Sequence, residues 1–161
     1  MKVALGGTFD PVHDGHRALL ERAFERGNVT VGLTNDCLAQ ETRRKERHVR
    51  PFETRRRNLR PELAKHSGGR SFEIRRLNEP TGIATKPQFD VLVVSPETEP
   101  GAKRINEIRL EHGHEPLEID VVPHVRAEDG GIISSTRIVS GEIDEFGTVS
   151  PQSTDDTSST R

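Results

Sequence analysis

Short apolar runs alternate with longer amphipathic stretches along this chain of 161 residues. Val3-Ala4-Leu5 ends in Gly6-Gly7, as a buried strand does when it enters a tight loop. From about Gly15 to Arg26, Leu19, Leu20, Ala23 and Phe24 recur on one helical face, and Gly27-Asn28 supplies the stop. Val29 to Leu33 reads as a second strand, followed by a charged stretch from Asn35 to Arg50 with no predicted element. Pro51 opens a helix that Pro61 kinks or divides, and Ser71 to Leu77 is a third strand. Val91-Leu92-Val93-Val94 has the unbroken apolar character of a central parallel strand. A helix from Ala102 to His112 follows, with Ile105, Ile108 and Leu110 inward, then a fifth strand from Leu117 to Val122. Ser134 starts the last helix and Gly141 ends it. This alternation predicts an α/β fold with a doubly wound, five-stranded parallel sheet. The pattern defines one domain over residues 1–146. Residues 147–161 are expected to form a disordered tail, because Ser150 to Arg161 has almost nothing apolar to offset ordering.

Composition narrows the function classes. Hydrophobic residues make up 30% and charged residues 31%, so the core is economical, and six Phe supply all the aromatic packing in a chain without Trp or Tyr. A formal net charge of −2 gives no global attraction to nucleic acid or to an anionic membrane. Basic residues cluster at Arg43, Arg44, Lys45 and Arg47, and again at Arg55, Arg56 and Arg57. Most of these fit a solvated helix face; the alternative is a funnel for a polyanionic small molecule. Cys37 stands alone, which excludes an internal disulfide and a Cys-based zinc site. The start is too short in apolar residues for a signal peptide, and no run approaches the ~20 residues of a membrane helix, so a cytoplasmic location is expected.

The chemistry concentrates in Gly6-Gly7-Thr8-Phe9-Asp10-Pro11-Val12-His13-Asp14-Gly15-His16, between the first strand and the first helix. Ligands of open parallel sheets bind beyond the carboxyl ends of the strands. A helix N-terminus there offers unpaired N–H groups to phosphate. Gly6 and Gly7 let backbone approach a ligand, Thr8 adds a hydroxyl, and His13 and His16 can face one side and donate to phosphate oxygens. A His pair can also bind metal, but neither Asp10 nor Asp14 has distinctive ligand spacing, and no metal-binding residue is assigned. Neither a Walker loop nor a dinucleotide fingerprint is present. Ser134 suits a helix N-cap; by themselves Ser135, Thr136 and Arg137 fit an ordinary capped helix with a surface Arg, and beside the first motif they also suit phosphate binding in the first turn.

Gly7-Thr8-Phe9-Asp10 with His13-Asp14-Gly15-His16 resembles the first signature of the nucleotidylyltransferase superfamily, and Ile133-Ser134-Ser135-Thr136-Arg137 resembles its late one. The resemblance covers roughly residues 1 to 145. Val94-Ser95-Pro96-Glu97-Thr98, followed by Ile105-Asn106 and Arg109, is similar to the archaeal and eukaryotic branch of the phosphopantetheine adenylyltransferases. The acidic lead Glu128-Asp129-Gly130-Gly131 departs from the Arg-Thr-x-Gly of cytidylyltransferases.

The resemblance implies a single Rossmann-like domain that transfers AMP from ATP to 4′-phosphopantetheine, giving dephospho-coenzyme A and pyrophosphate. It implies Mg2+ accompanying ATP. It makes His16 the transition-state stabiliser, His13 a support for the ATP phosphates and Thr8 the orienter of the acceptor phosphate. Lys45 is the candidate mobile cation, with Arg43, Arg44 and Arg47 as rivals. Gly7, Phe9, Ser95, Glu97, Thr98, Arg109, Ser134, Ser135, Thr136 and Arg137 complete the expected binding residues. The alternatives are another small-molecule adenylyl- or cytidylyltransferase, a non-catalytic nucleotide-binding module, and a nucleic-acid binder using Arg43 to Arg57.

Overall fold

The computed structural model describes residues 1–42, 48–79 and 82–150. Five strands among them form one all-parallel sheet: β1 (Lys2–Gly7), β2 (Asn28–Thr34), β3 (Phe72–Leu77), β4 (Val91–Val94) and β5 (Glu118–Val121), in the order β3-β2-β1-β4-β5. The helices are α1 (Asp14–Arg26), α2 (Asp36–Thr42), α3 (Phe52–His66), α4 (Glu99–Glu111) and α5 (Ser135–Val139). The expected doubly wound α/β sheet is what forms.

Alternation within the strands divides the core between the two faces. Val3, Leu5, Val91 and Val93 join Leu20, Phe24, Leu59 and Leu63 under α1 and α3. Ala4, Leu92 and Val94 join Leu38, Ala102 and Ile105 under α2 and α4. Strand order reverses between β1 and β4. Their ladder holds only Val3↔Val91 and Ala4↔Leu92, whereas β1 pairs with β2 along its whole length. A sheet opens a ligand crevice at such a switch point.

Several expectations are corrected. Helix α2 lies within the stretch read as lacking an element; Leu38 and Ala39 anchor it in the core. Helix α3 runs through Pro61 unbroken, because Pro61 sits on the solvent side while Leu59 and Leu63 hold the other face. In α4 the inward stripe is Ala102, Ile105 and Arg109, and Leu110 is 61% exposed. The domain extends past 146 to Ser150: the Glu128 N–H donates to the Gly147 carbonyl, the Ser150 N–H donates to the Glu142 carbonyl, and Val149 packs on Ala127, Ile133 and Ile143. The remainder of the expected tail, 151–161, lies outside the described residues.

Candidate active site

A cavity of about 680 Å³ occupies the crevice at the carboxyl ends of β1 and β4. Of the residues singled out in the sequence, Gly7, Thr8, His13, His16, Ser95, Glu97, Thr98, Ser134 and Ser135 line it. The two sequence signatures meet there, with the Ser135 hydroxyl donating to the Pro11 carbonyl at 3.0 Å.

The start of α1 is a closed hydrogen-bond system. His13 is the N-cap: its Nδ1 accepts from the Gly15 N–H at 3.0 Å and the His16 N–H at 3.3 Å. The His13 N–H in turn donates to Nδ1 of His16 at 3.2 Å. The Asp14 N–H donates to the Glu145 carbonyl. The expected free amides at this helix end are therefore consumed, which leaves the imidazoles as the polar groups that this helix start presents to the cavity. Each Nδ1 acts as an acceptor, so each neutral ring carries its proton on Nε2. The rings stack with centroids 3.8 Å apart.

Electrostatics keep both rings neutral. Burial, reinforced by the Arg17 cation and only partly opposed by Asp14, lowers His13 to about 4. Burial, then His13, then Arg17 hold His16 well below the ordinary histidine range. Arg17 is itself fixed by Asp14, Glu62 and Glu145 behind the helix start. Gly15 is required by space: a Cβ there would lie 2.8 Å from Cε1 of His13.

Some predicted residues fall elsewhere. Phe9 does not line the cavity; it is buried at a left-handed φ of 52°, and its ring supports His16 at 4.5 Å. Arg109 is buried and donates to the carbonyls of Ala84, Lys86 and Phe89 before β4 and of Glu115 after α4, so its guanidinium ties these two loops together. Arg137 binds Asp129, Glu142 and the Ile132 carbonyl, and neither it nor Thr136 lines the cavity. Ser134 caps α5 by accepting from the Arg137 N–H. Thr98 lines the cavity, but its hydroxyl closes the turn on Ser95. Lys45, with Arg43, Arg44 and Arg47, lies outside the described residues.

The structure adds residues that motif reading missed. Leu38, Leu77, Ile83, Ala84, Ala102 and Ile105 form an apolar wall, while Thr34 and His124 add polar groups. Arg55 is fully buried behind Thr8. Helical spacing was the available signal: Arg55 shares a stripe with Phe52, Leu59 and Leu63, whereas Arg57 is exposed and Arg56 is partly so.

The chain belongs to the cytidylyltransferase-like family, whose model matches residues 4–141. Within that class it is similar to proteins named phosphopantetheine adenylyltransferase. The relative from Methanosarcina acetivorans is 46% identical, with 94% of this chain and 97% of the relative covered. The relative from Methanosarcina mazei is 48% identical, with 91% of this chain and 95% of the relative covered. A solved structure of a protein of unknown function from Archaeoglobus fulgidus superposes with a TM-score of 0.68 at 39% identity, over 76% of this chain and 89% of that one. No helix among the described residues is long and apolar enough to cross a membrane.

Proposed function

We propose that this chain is a pantetheine-phosphate adenylyltransferase of coenzyme A biosynthesis. It transfers AMP from ATP to 4′-phosphopantetheine and releases dephospho-coenzyme A and pyrophosphate. The observation that carries the reading is the pair of neutral, Nδ1-anchored imidazoles at the switch-point cavity. An oxygen of the acceptor phosphate attacks the α-phosphorus of ATP. That P–O bond forms as the bond to the β-phosphate oxygen breaks, and the electron pair leaves with pyrophosphate. The acceptor is already anionic and needs no base, so the work left to the protein is positioning and stabilising charge.

His16 donates from Nε2 to the charge that develops at the α-phosphate, and His13 does the same for the neighbouring phosphates. Neutral rings suit this task, since their Nε2 protons stay available as donors without titrating near neutral pH. Thr8 orients the acceptor phosphate. Ser134 and Ser135 border the nucleotide side, and the apolar wall takes the pantetheine arm. Lys45 remains the candidate bridging cation on sequence grounds alone.

Mg2+ accompanies ATP as part of that substrate. No cluster of three His, Cys, Asp or Glu side chains among the described residues could hold a metal ion. Substrate phosphates and water would carry such a cation. The reading carries a cytoplasmic location, where ATP is available.

The test is formation of dephospho-coenzyme A from ATP and phosphopantetheine. His16→Ala should lower kcat at least about 100-fold, the scale of losing one oxyanion-type donor. Turnover of CTP in place of ATP, or wild-type rates in a folded His16→Ala protein, would overturn the reading.

A further inference from the structure

Thr8 is not held by its own loop alone. Its Oγ1 lies 2.9 Å from Oγ1 of Thr34, at the end of β2, and Nη1 of Arg55 donates to Thr34 Oγ1 at 3.2 Å. The same Nη1 donates to the Thr8 carbonyl at 3.3 Å. Arg55 is fully buried and Thr34 is 4% exposed, while both threonines line the cavity. The guanidinium is pinned at two further points: Nε donates to the Arg50 carbonyl at 2.7 Å, and Nη2 pairs with Asp36 at 2.9 Å.

These groups form a chain with one donor-only end. A guanidinium has no acceptor, and the oxygens of an ionised phosphate have no proton to give. Two hydroxyls placed between such ends have one consistent polarity. Arg55 donates to Thr34, Thr34 donates to Thr8, and Thr8 turns its own proton toward the ligand oxygen. Donation from a cation also polarises the hydroxyls that follow it.

We propose that Arg55 and Thr34 are positioning residues, forming a one-way hydrogen-bond relay that makes the Thr8 hydroxyl a committed donor to the acceptor phosphate. The proposal rests on the reading of the acceptor as a phosphate-bearing molecule. It explains a buried arginine whose charge faces solvent nowhere. It also assigns a role to Thr34, which lies on a different strand from the motif it serves. Discrimination is expected against a pantetheine analogue that lacks the phosphate, because a relay of fixed polarity is left without its terminal acceptor.

The test uses the full chain with Thr34→Val, which keeps the shape and removes the relay oxygen, and Thr34→Ser, which keeps the oxygen. Thr34→Val should raise the KM for phosphopantetheine about tenfold, the loss of roughly one hydrogen bond to a charged group, with the KM for ATP changed less than about twofold. Calorimetry with inorganic phosphate as the probe should show its Kd weakened by a similar factor. Thr34→Ser should bring both values back to within about threefold of wild type. Unchanged acceptor KM and phosphate Kd in Thr34→Val would overturn the relay. So would a Thr34→Ser protein as impaired as Thr34→Val, or equal increases in both KM values, which mark general loosening. If the wild type fails to convert phosphopantetheine, the functional reading falls and the phosphate titration alone decides the relay. A wild type that does neither overturns both.

Discussion

Replacing His13 by Asn separates the two tasks of that side chain. Its Nδ1 caps α1 by accepting from the Gly15 and His16 amides, and in the proposed mechanism its Nε2–H is the donor to phosphate. An Asn carbonyl is a good N-cap, but its amide nitrogen stops short of the place where the imidazole Nε2 sits. Losing a cap costs about 1 kcal/mol, and a protein of this size loses about 2–4 °C in Tm for each kcal/mol. His13→Ala should therefore melt at least about 2–4 °C below wild type, with a further loss from the space left by a side chain that is 7% exposed. His13→Asn should stay much closer to wild type in Tm. Both should lose about 100-fold in kcat, because both lack the positioned donor. Thermal denaturation and steady-state turnover on the same preparations measure the two effects. Wild-type kcat in His13→Asn would show that the imidazole donor is not used. An Asn variant as unstable as the Ala variant would show that Nδ1 is not the cap.

The depressed histidines make stability depend on pH. His13 titrates at about 4 in the folded protein, against about 6.5 when unfolded, so its contribution is complete above about pH 6.5 and is lost as pH falls toward 4, by up to about 1.4 kcal/mol per pH unit. Urea midpoints should fall across that window, less steeply in His13→Asn; equal slopes in the two proteins would refute the assignment. Arg109→Met should destabilise by about 1–3 kcal/mol for each carbonyl left without a donor, and leave both KM values unchanged per folded molecule. A KM effect without destabilisation would return Arg109 to the site. Lys45→Ala should reduce turnover much more than Arg43→Ala or Arg44→Ala, since a flexible ammonium acts as a point charge; equal activity of the three variants would remove Lys45 from the mechanism.

Much of this architecture is local and can be read from neighbouring residues. Short continuous apolar runs located the strands and a period of 3.6 most of the helices, because burial is written into short windows. The Gly7 to His16 and Ile133 to Arg137 segments marked the site for the same reason: their residue types and spacing are contiguous. Chain order alone supported a doubly wound sheet, since strand–helix–strand units cross over with one hand.

Tertiary structure decided which polar groups remain free to act. Arg109 and Arg137 look like phosphate ligands in isolation, but Arg109 is occupied by carbonyls of a loop more than twenty residues away in the chain, and Arg137 by the carboxylates of Asp129 and Glu142 on either side of α5. The α1 amides resemble an anion site until the Glu145 carbonyl and the His13 ring consume them. Arg55 resembles its neighbours Arg56 and Arg57 until helical phase turns it inward to Thr8 and Thr34. A side chain's chemistry is fixed by its type, but its availability depends on whether a buried donor finds its acceptor, and that acceptor can sit anywhere in the chain.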